Sequence, residues 1–98
     1  METVEELMAK VQEQQERVFE IQRAVEQLEI TAFTANSEVT VKLRGNGRFT
    51  EVVVDPRAMR YDAETLGALV VEAVNSGLTK LAEATKKKFE PIMGETQA

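Results

Sequence analysis

The 98 residues predict an α+β fold in the order helix, strand, strand, strand, helix, and three observations carry that reading. Residues 2–29 hold no Gly or Pro and repeat their apolar side chains every seven positions. Residues 30–54 change to alternation, with an Asn-Gly pair between two alternating runs. Residues 62–89 return to helical spacing. No repeat or low-complexity segment interrupts this order, so residues 1–98 read as one domain.

The first helix is expected over residues 2–29. Val4, Val11, Val18 and Val25 fall at one seam position and Leu7, Ile21 and Leu28 at the other, with Gln14 interrupting the second. Such a stripe marks a helical partner without saying whose helix it is, so a second helix of the same chain and a second copy of the chain both satisfy it. Gln14 either fixes the register of that pairing or marks where the seam is exposed.

Ile30 to Ala35 is expected as a first strand. Glu38 to Arg44 alternates cleanly as a second, and Arg48 to Val54 forms the third after Gly45-Asn46-Gly47. With Asn46 and Gly47 at the two positive-φ positions of a tight turn, Leu43 faces Thr50, Val41 faces Val52 and Val39 faces Val54. Lys42 then faces Glu51 as an opposite-charge pair. The other side of this hairpin carries Thr40, Lys42, Arg44, Phe49, Glu51 and Val53. Phe49 and Val53 are apolar for a solvated face, which makes them candidates for a dimer contact.

Asp55-Pro56 ends the third strand, because proline has no N–H to give to a ladder. Asp62 is suited to cap the second helix, expected over residues 62–89. Leu66, Leu69, Val70, Ala73, Val74, Leu78 and Leu81 form its buried stripe. Gly77 inside that stripe implies close packing or a bend. Pro91 is expected to stop the helix and leave residues 91–98 as a flexible tail.

Composition narrows the chemistry. The chain lacks Cys and His, which removes thiolate chemistry, disulfides, the usual neutral-pH base and the commonest metal ligand. Ser and Thr have no His to activate them, and no phosphate-cradling loop is present. The reading is therefore a non-enzyme without metal or cofactor. No apolar run is long enough to span a bilayer and the N-terminus is acidic, so a cytoplasmic protein without a membrane partner is expected.

Seventeen acids against twelve bases give a net charge of -5. Residues 2–29 account for all of it, with eight Glu against Lys10, Arg17 and Arg23. That balance weighs against a nucleic-acid partner, which usually draws a basic protein. The positive candidates are few. Lys10, Arg17 and Arg23 lie near one side of the first helix, with Glu13, Glu16 and Glu20 placed to neutralise them. Lys86, Lys87 and Lys88 fall in the last turns of the second helix, where they serve either its dipole or a phosphate.

The stretches Val39-Thr40-Val41-Lys42-Leu43-Arg44-Gly45-Asn46-Gly47 and Val52-Val53-Val54-Asp55-Pro56, followed by Leu66, Leu69-Val70, Ala73 and Asn75, resemble the YbaB/EbfC family of bacterial nucleoid-associated proteins. The long Gln- and Glu-rich first helix and the element order extend the resemblance over nearly the whole chain. One local departure is Thr34-Ala35-Asn36-Ser37-Glu38, where family members commonly have a Gly-rich approach to the second strand. The resemblance implies a homodimer centred on its sheets, with helices projecting as the arms of tweezers. It also implies binding to double-stranded DNA along those arms in the nucleoid. Lys10, Arg17, Arg23, Lys86, Lys87 and Lys88 are the side chains expected to contact its phosphates. A secretion-associated adaptor or chaperone that holds a protein partner and ignores DNA is the alternative, since some relatives of the family belong to such systems.

Overall fold

The computed structural model describes residues 3–96, with side chains through residue 92. Helix α1 spans Val4–Glu26, β1 Glu29–Phe33, β2 Val39–Arg44 and β3 Phe49–Val54. A 3-10 turn, Pro56–Arg60, then leads to α2, Ala63–Thr96. The strands form one antiparallel sheet in the order β1-β2-β3. The predicted α-β-β-β-α order is therefore present.

Helix α1 starts at a capping box. The Glu6 amide donates to Thr3 Oγ1 at 3.1 Å while the Thr3 amide donates to Glu6 Oε2 at 3.4 Å. It ends three residues earlier than the sequence pattern suggests, because the chain after it is tied to the hairpin. The Gly45 amide donates to the Leu28 carbonyl at 2.9 Å, and a Cβ on Gly45 would run into the Val25 carbonyl. Only glycine permits this approach. Glu2, the expected start of the helix, lies outside the described residues.

β1 ends at Phe33 rather than Ala35, because Thr34 turns inward. Its buried hydroxyl accepts from the Glu38 and Val39 amides at 3.0 and 3.2 Å and donates to Glu38 Oε1 at 2.7 Å. Ser37 closes the connection at φ 58°, the left-handed region that glycine usually fills.

The hairpin keeps most of the expected register: Val39↔Val54, Val41↔Val52 and Lys42↔Glu51. Its turn differs. Gly47 alone in the loop has positive φ, and Arg44 and Arg48 close a three-residue loop through Gly47 N to Arg44 O and Arg44 N to Arg48 O, both 2.9 Å. This shifts Leu43 from Thr50 to Phe49, and a bulge opposite Lys42/Leu43 absorbs Thr50 and restores the pairing beyond it. Residues directly opposite share a side of the sheet. Phe49 thus joins the side of Leu43 and Val41, whereas the sequence pattern had placed it beside Val53. Phe33 takes that place, in the row Phe33–Thr40–Val53.

Helix α2 packs mainly on β1 and β2. Ala32, Val39, Val41 and Ala73 form the buried centre, with Leu66, Leu69, Val70 and Val74 against it. Gly77 is the closest approach: a Cβ there would stand 3.1 Å from Leu43 Cδ2 and 3.4 Å from Val41 Cγ2. Asp62 caps the helix by accepting from the Thr65 amide at 2.7 Å.

Contrary to expectation, α2 runs through Pro91 to Thr96. A proline inside a helix removes one backbone bond and crowds the preceding turn. Here Pro91 and Ile92 border a cleft shared with Arg17, Glu20 and Ile21 of α1, so the extended end of α2 runs beside α1. The two long helices make the molecule 70 × 23 × 16 Å, with a radius of gyration of 19.8 Å. A compact chain of this length has a radius near 13 Å.

Candidate nucleic-acid interface

The six cations singled out by sequence fall into two groups with different surroundings. On α1, Lys10 and Arg17 are both engaged by other residues. Each has glutamates at the i±3 and i±4 positions: Glu6 and Glu13 for Lys10, Glu13 and Glu20 for Arg17. Arg23 borders a shallow groove with Glu16, Phe19 and Glu20. The positive stripe of α1 is thus laced with acids.

Lys86, Lys87 and Lys88 differ. All three are exposed and make no ion pair among the described residues. Because α2 continues to Thr96, they sit more than two turns from its end. A helix dipole acts over the last turn only, so helix-end stabilisation does not account for them. Consecutive residues point about 100° apart around a helix, so the three lysines wrap the arm rather than line one face. Lys88 turns toward α1 and shares a cleft with Arg17, Glu20, Ile21, Pro91 and Ile92. The structure therefore joins Arg17 to Lys88 and leaves Lys10 and Arg23 apart from them.

Sequence reasoning did not single out two further cations. Lys80 bends over the β1 edge, with Nζ 4.9 Å from the Phe33 ring centre and 3.4 Å from the Thr31 carbonyl. Arg57 reaches back from the 3-10 turn to Asp55 Oδ1 at 3.0 Å and to the Asn36 carbonyl at 3.1 Å. Both contacts join residues far apart in sequence or depend on a turn, so no periodic signal announces them. Asp55, which with Pro56 ends β3, caps this turn by accepting from the Arg57 amide at 2.8 Å. The Arg57 side chain beside it holds its carboxyl below the usual range.

The sheet supplies a second surface. β3 is an edge strand with apolar side chains exposed on both faces. Val52 and Phe49, 49% and 37% exposed, lie on the side of α2, and Val53, 46% exposed, lies on the other. Lys80 marks the flank of α2 that leans to β1. The row Val71, Val74 and Leu78, of which Val71 and Leu78 are exposed, lies on the opposite flank of α2 by helical spacing.

Among the described residues no helix is long and apolar enough to cross a membrane. The fold is shared with the crystal structure of an uncharacterized protein from Helicobacter pylori, at a TM-score of 0.76 over 95% of this chain and 99% of that one, with 15% identity. A nucleoid-associated protein from Legionella pneumophila (strain Corby) is 34% identical over 86 residues, 88% of this chain and 77% of its own. Another from Synechocystis is 32% identical over 89 residues, covering 91% and 78% of the two chains. A third from Corynebacterium diphtheriae is 30% identical over 88 residues, covering 89% and 83%. Residues 1–96 match the YbaB/EbfC DNA-binding family in full sequence order, hairpin and both helices included, and the chain belongs to that family.

Proposed function

We propose that this chain is a non-enzymatic, nucleoid-associated protein that binds double-stranded DNA as a homodimer in the cytoplasm, mainly through phosphate contacts. The observation that carries the DNA contact is the run Lys86–Lys88, exposed, without ion pairs among the described residues and away from the helix end. Arg17 beside Lys88 extends it toward α1. The two-sided apolar edge of β3 supports the homodimer, since such an edge is a template for another chain. Family membership and the names of the relatives point the same way.

Pairing two chains places six such lysines on one particle. If each neutralises one phosphate, affinity falls about 10³-fold between 50 and 200 mM salt. Fluorescence anisotropy of a labelled duplex at those two salt concentrations reads this directly. Affinity unchanged by salt would exclude the phosphate mechanism.

A second reading rests on the rest of α1. Its acidic balance repels DNA, and a groove lined by Val11, Gln14, Gln15, Val18, Phe19 and Gln22 carries no charge. That surface suits an adaptor for a protein helix. Failure to bind duplex even at 50 mM salt would favour it.

A further inference from the structure

The strand order β1-β2-β3 leaves two edges, and β1 is one of them. The Thr34 amide donates to the Val39 carbonyl at 3.0 Å and the Gly45 amide to the Leu28 carbonyl at 2.9 Å. Antiparallel pairing alternates, so Leu28, Ile30, Ala32 and Thr34 turn their backbone groups to β2. Glu29, Thr31 and Phe33 turn theirs outward. The Thr31 carbonyl stands at the middle of this edge, where another strand would dock.

Lys80 holds that spot. Its Nζ donates to the Thr31 carbonyl at 3.4 Å and lies 4.9 Å from the Phe33 ring centre. Phe33 belongs to the row on the far side of the sheet from α2, so a side chain that starts on α2 and reaches both groups crosses the rim at β1. Gly77 brings α2 low enough for this. A Cβ there would stand 3.1 Å from Leu43 Cδ2 and 3.7 Å from the Ala32 Cβ, one turn before Lys80. The β3 edge differs, flanked by exposed Val52 and Val53.

We propose that Lys80 guards the β1 edge and keeps the β1 of a second copy from adding to the sheet there. An incoming strand runs about 4.8 Å from β1 and must place an N–H on the Thr31 carbonyl. The ammonium of Lys80 occupies that direction, and closing a strand over it would bury a charge without a counterion. The strand itself is compatible with its own copy. In an antiparallel pair centred on Thr31, Ile30 falls opposite Ala32 and Glu29 opposite Phe33. A chain with two pairing edges grows without closing, whereas a chain with one stops at a pair. The guard therefore limits assembly.

Three full-length variants test this by sedimentation equilibrium without DNA: Lys80→Ala, Lys80→Arg, and Lys80→Ala combined with Thr31→Pro. Lys80→Ala is expected to at least double the weight-average mass of wild type at high concentration. Lys80→Arg keeps a cation at the edge and is expected to match wild type. Proline at position 31 removes an N–H that faces away from β2, which blocks strand addition while sparing the sheet. The double variant is expected to return to the wild-type mass. Hydrogen exchange gives a readout that needs no proline. The Thr31 and Phe33 amides are expected to exchange at least tenfold more slowly in Lys80→Ala than in wild type, with circular dichroism unchanged. A Lys80→Ala chain with wild-type mass and wild-type exchange at these amides would overturn the proposal. A larger mass with both amides still exchanging as in wild type would overturn it too, because growth would then run through another surface. Wild type at its own mass is the reference and no duplex is present, so the outcome is separate from the DNA reading and from pairing at β3.

Discussion

Ser37 is the residue where backbone and side chain disagree most openly. It sits at φ 58°, a conformation that costs a non-glycine residue about 1–2 kcal/mol. Ser37→Gly is expected to raise the unfolding free energy by about 0.5–1 kcal/mol, after the extra freedom of glycine in the unfolded chain is subtracted. Urea denaturation measures it. Gly45 is the reverse case, since its missing Cβ is what lets the hairpin reach the Val25 carbonyl. Gly45→Ala is expected to cost about 1–3 kcal/mol by forcing α1 off the hairpin. The Asn-Gly signal was legible in sequence and correctly placed the hairpin. Positive φ at Gly47 was legible as well; that Asn46 does not share it was not, because the loop closes over three residues rather than two.

Three carboxyls make the stability of this region pH-dependent. Glu38 is held below its ordinary value chiefly by the Thr34 hydroxyl, Asp55 by the Arg57 side chain and Asp62 by Thr65. A group whose pKa is depressed on folding stabilises the native state when ionised and loses that contribution as pH falls through its folded value. Thermal midpoints are therefore expected to stay level from neutral pH down to about 5 and to drop below that. Glu38→Gln is expected to flatten part of the drop while lowering the midpoint at pH 7, because an amide accepts the Asn36 amide and Thr34 hydroxyl less strongly than a carboxylate.

At the scale of elements, α2 shows how far local rules reach. Its stripe apart from Leu78, which was expected to be buried and is 43% exposed beyond the rim of the sheet contact, its Asp62 cap and the close packing at Gly77 were readable from spacing and residue type. Its end was not. Pro91 is a stop signal locally, and the α1 residues that share a cleft with Pro91 and Ile92 lie some seventy positions away in sequence. That extension changes the meaning of Lys86–Lys88, which move from the end of a helix to its interior. Reversing all three to Glu is expected to reduce duplex affinity at least 100-fold at 50 mM salt and to lower the salt slope by about one unit per lysine and chain. Anisotropy titrations against wild type measure both. The sheet behaves similarly. The Lys42–Glu51 pair was expected and stands at 3.4 Å, while the bulge that exchanges Phe49 for Phe33 on the outer face arises from turn geometry and leaves no periodic trace.

As a whole the molecule exposes more surface than a folded monomer of its mass should. Its 7506 Å² compares with roughly 5,600 Å² for a compact chain. The excess lies along the arms and the exposed β3, where Val52 and Val53 meet solvent on opposite faces. Val52→Glu is expected to convert the proposed homodimer to a monomer without unfolding it, since the side chain is already half-exposed. Light scattering behind size exclusion would read the change in mass.

By itself the sequence determined what periodicity and residue type control: two helices, three strands, their order, most of the hairpin register and the family. Those features arise from side chains a few positions apart, whose spacing is written in the chain. Tertiary structure alone decided which cations are engaged by acids, which face Phe49 joins and where α2 ends. Each of these depends on groups brought together across the fold, and distance in space between such groups has no counterpart in spacing along the chain.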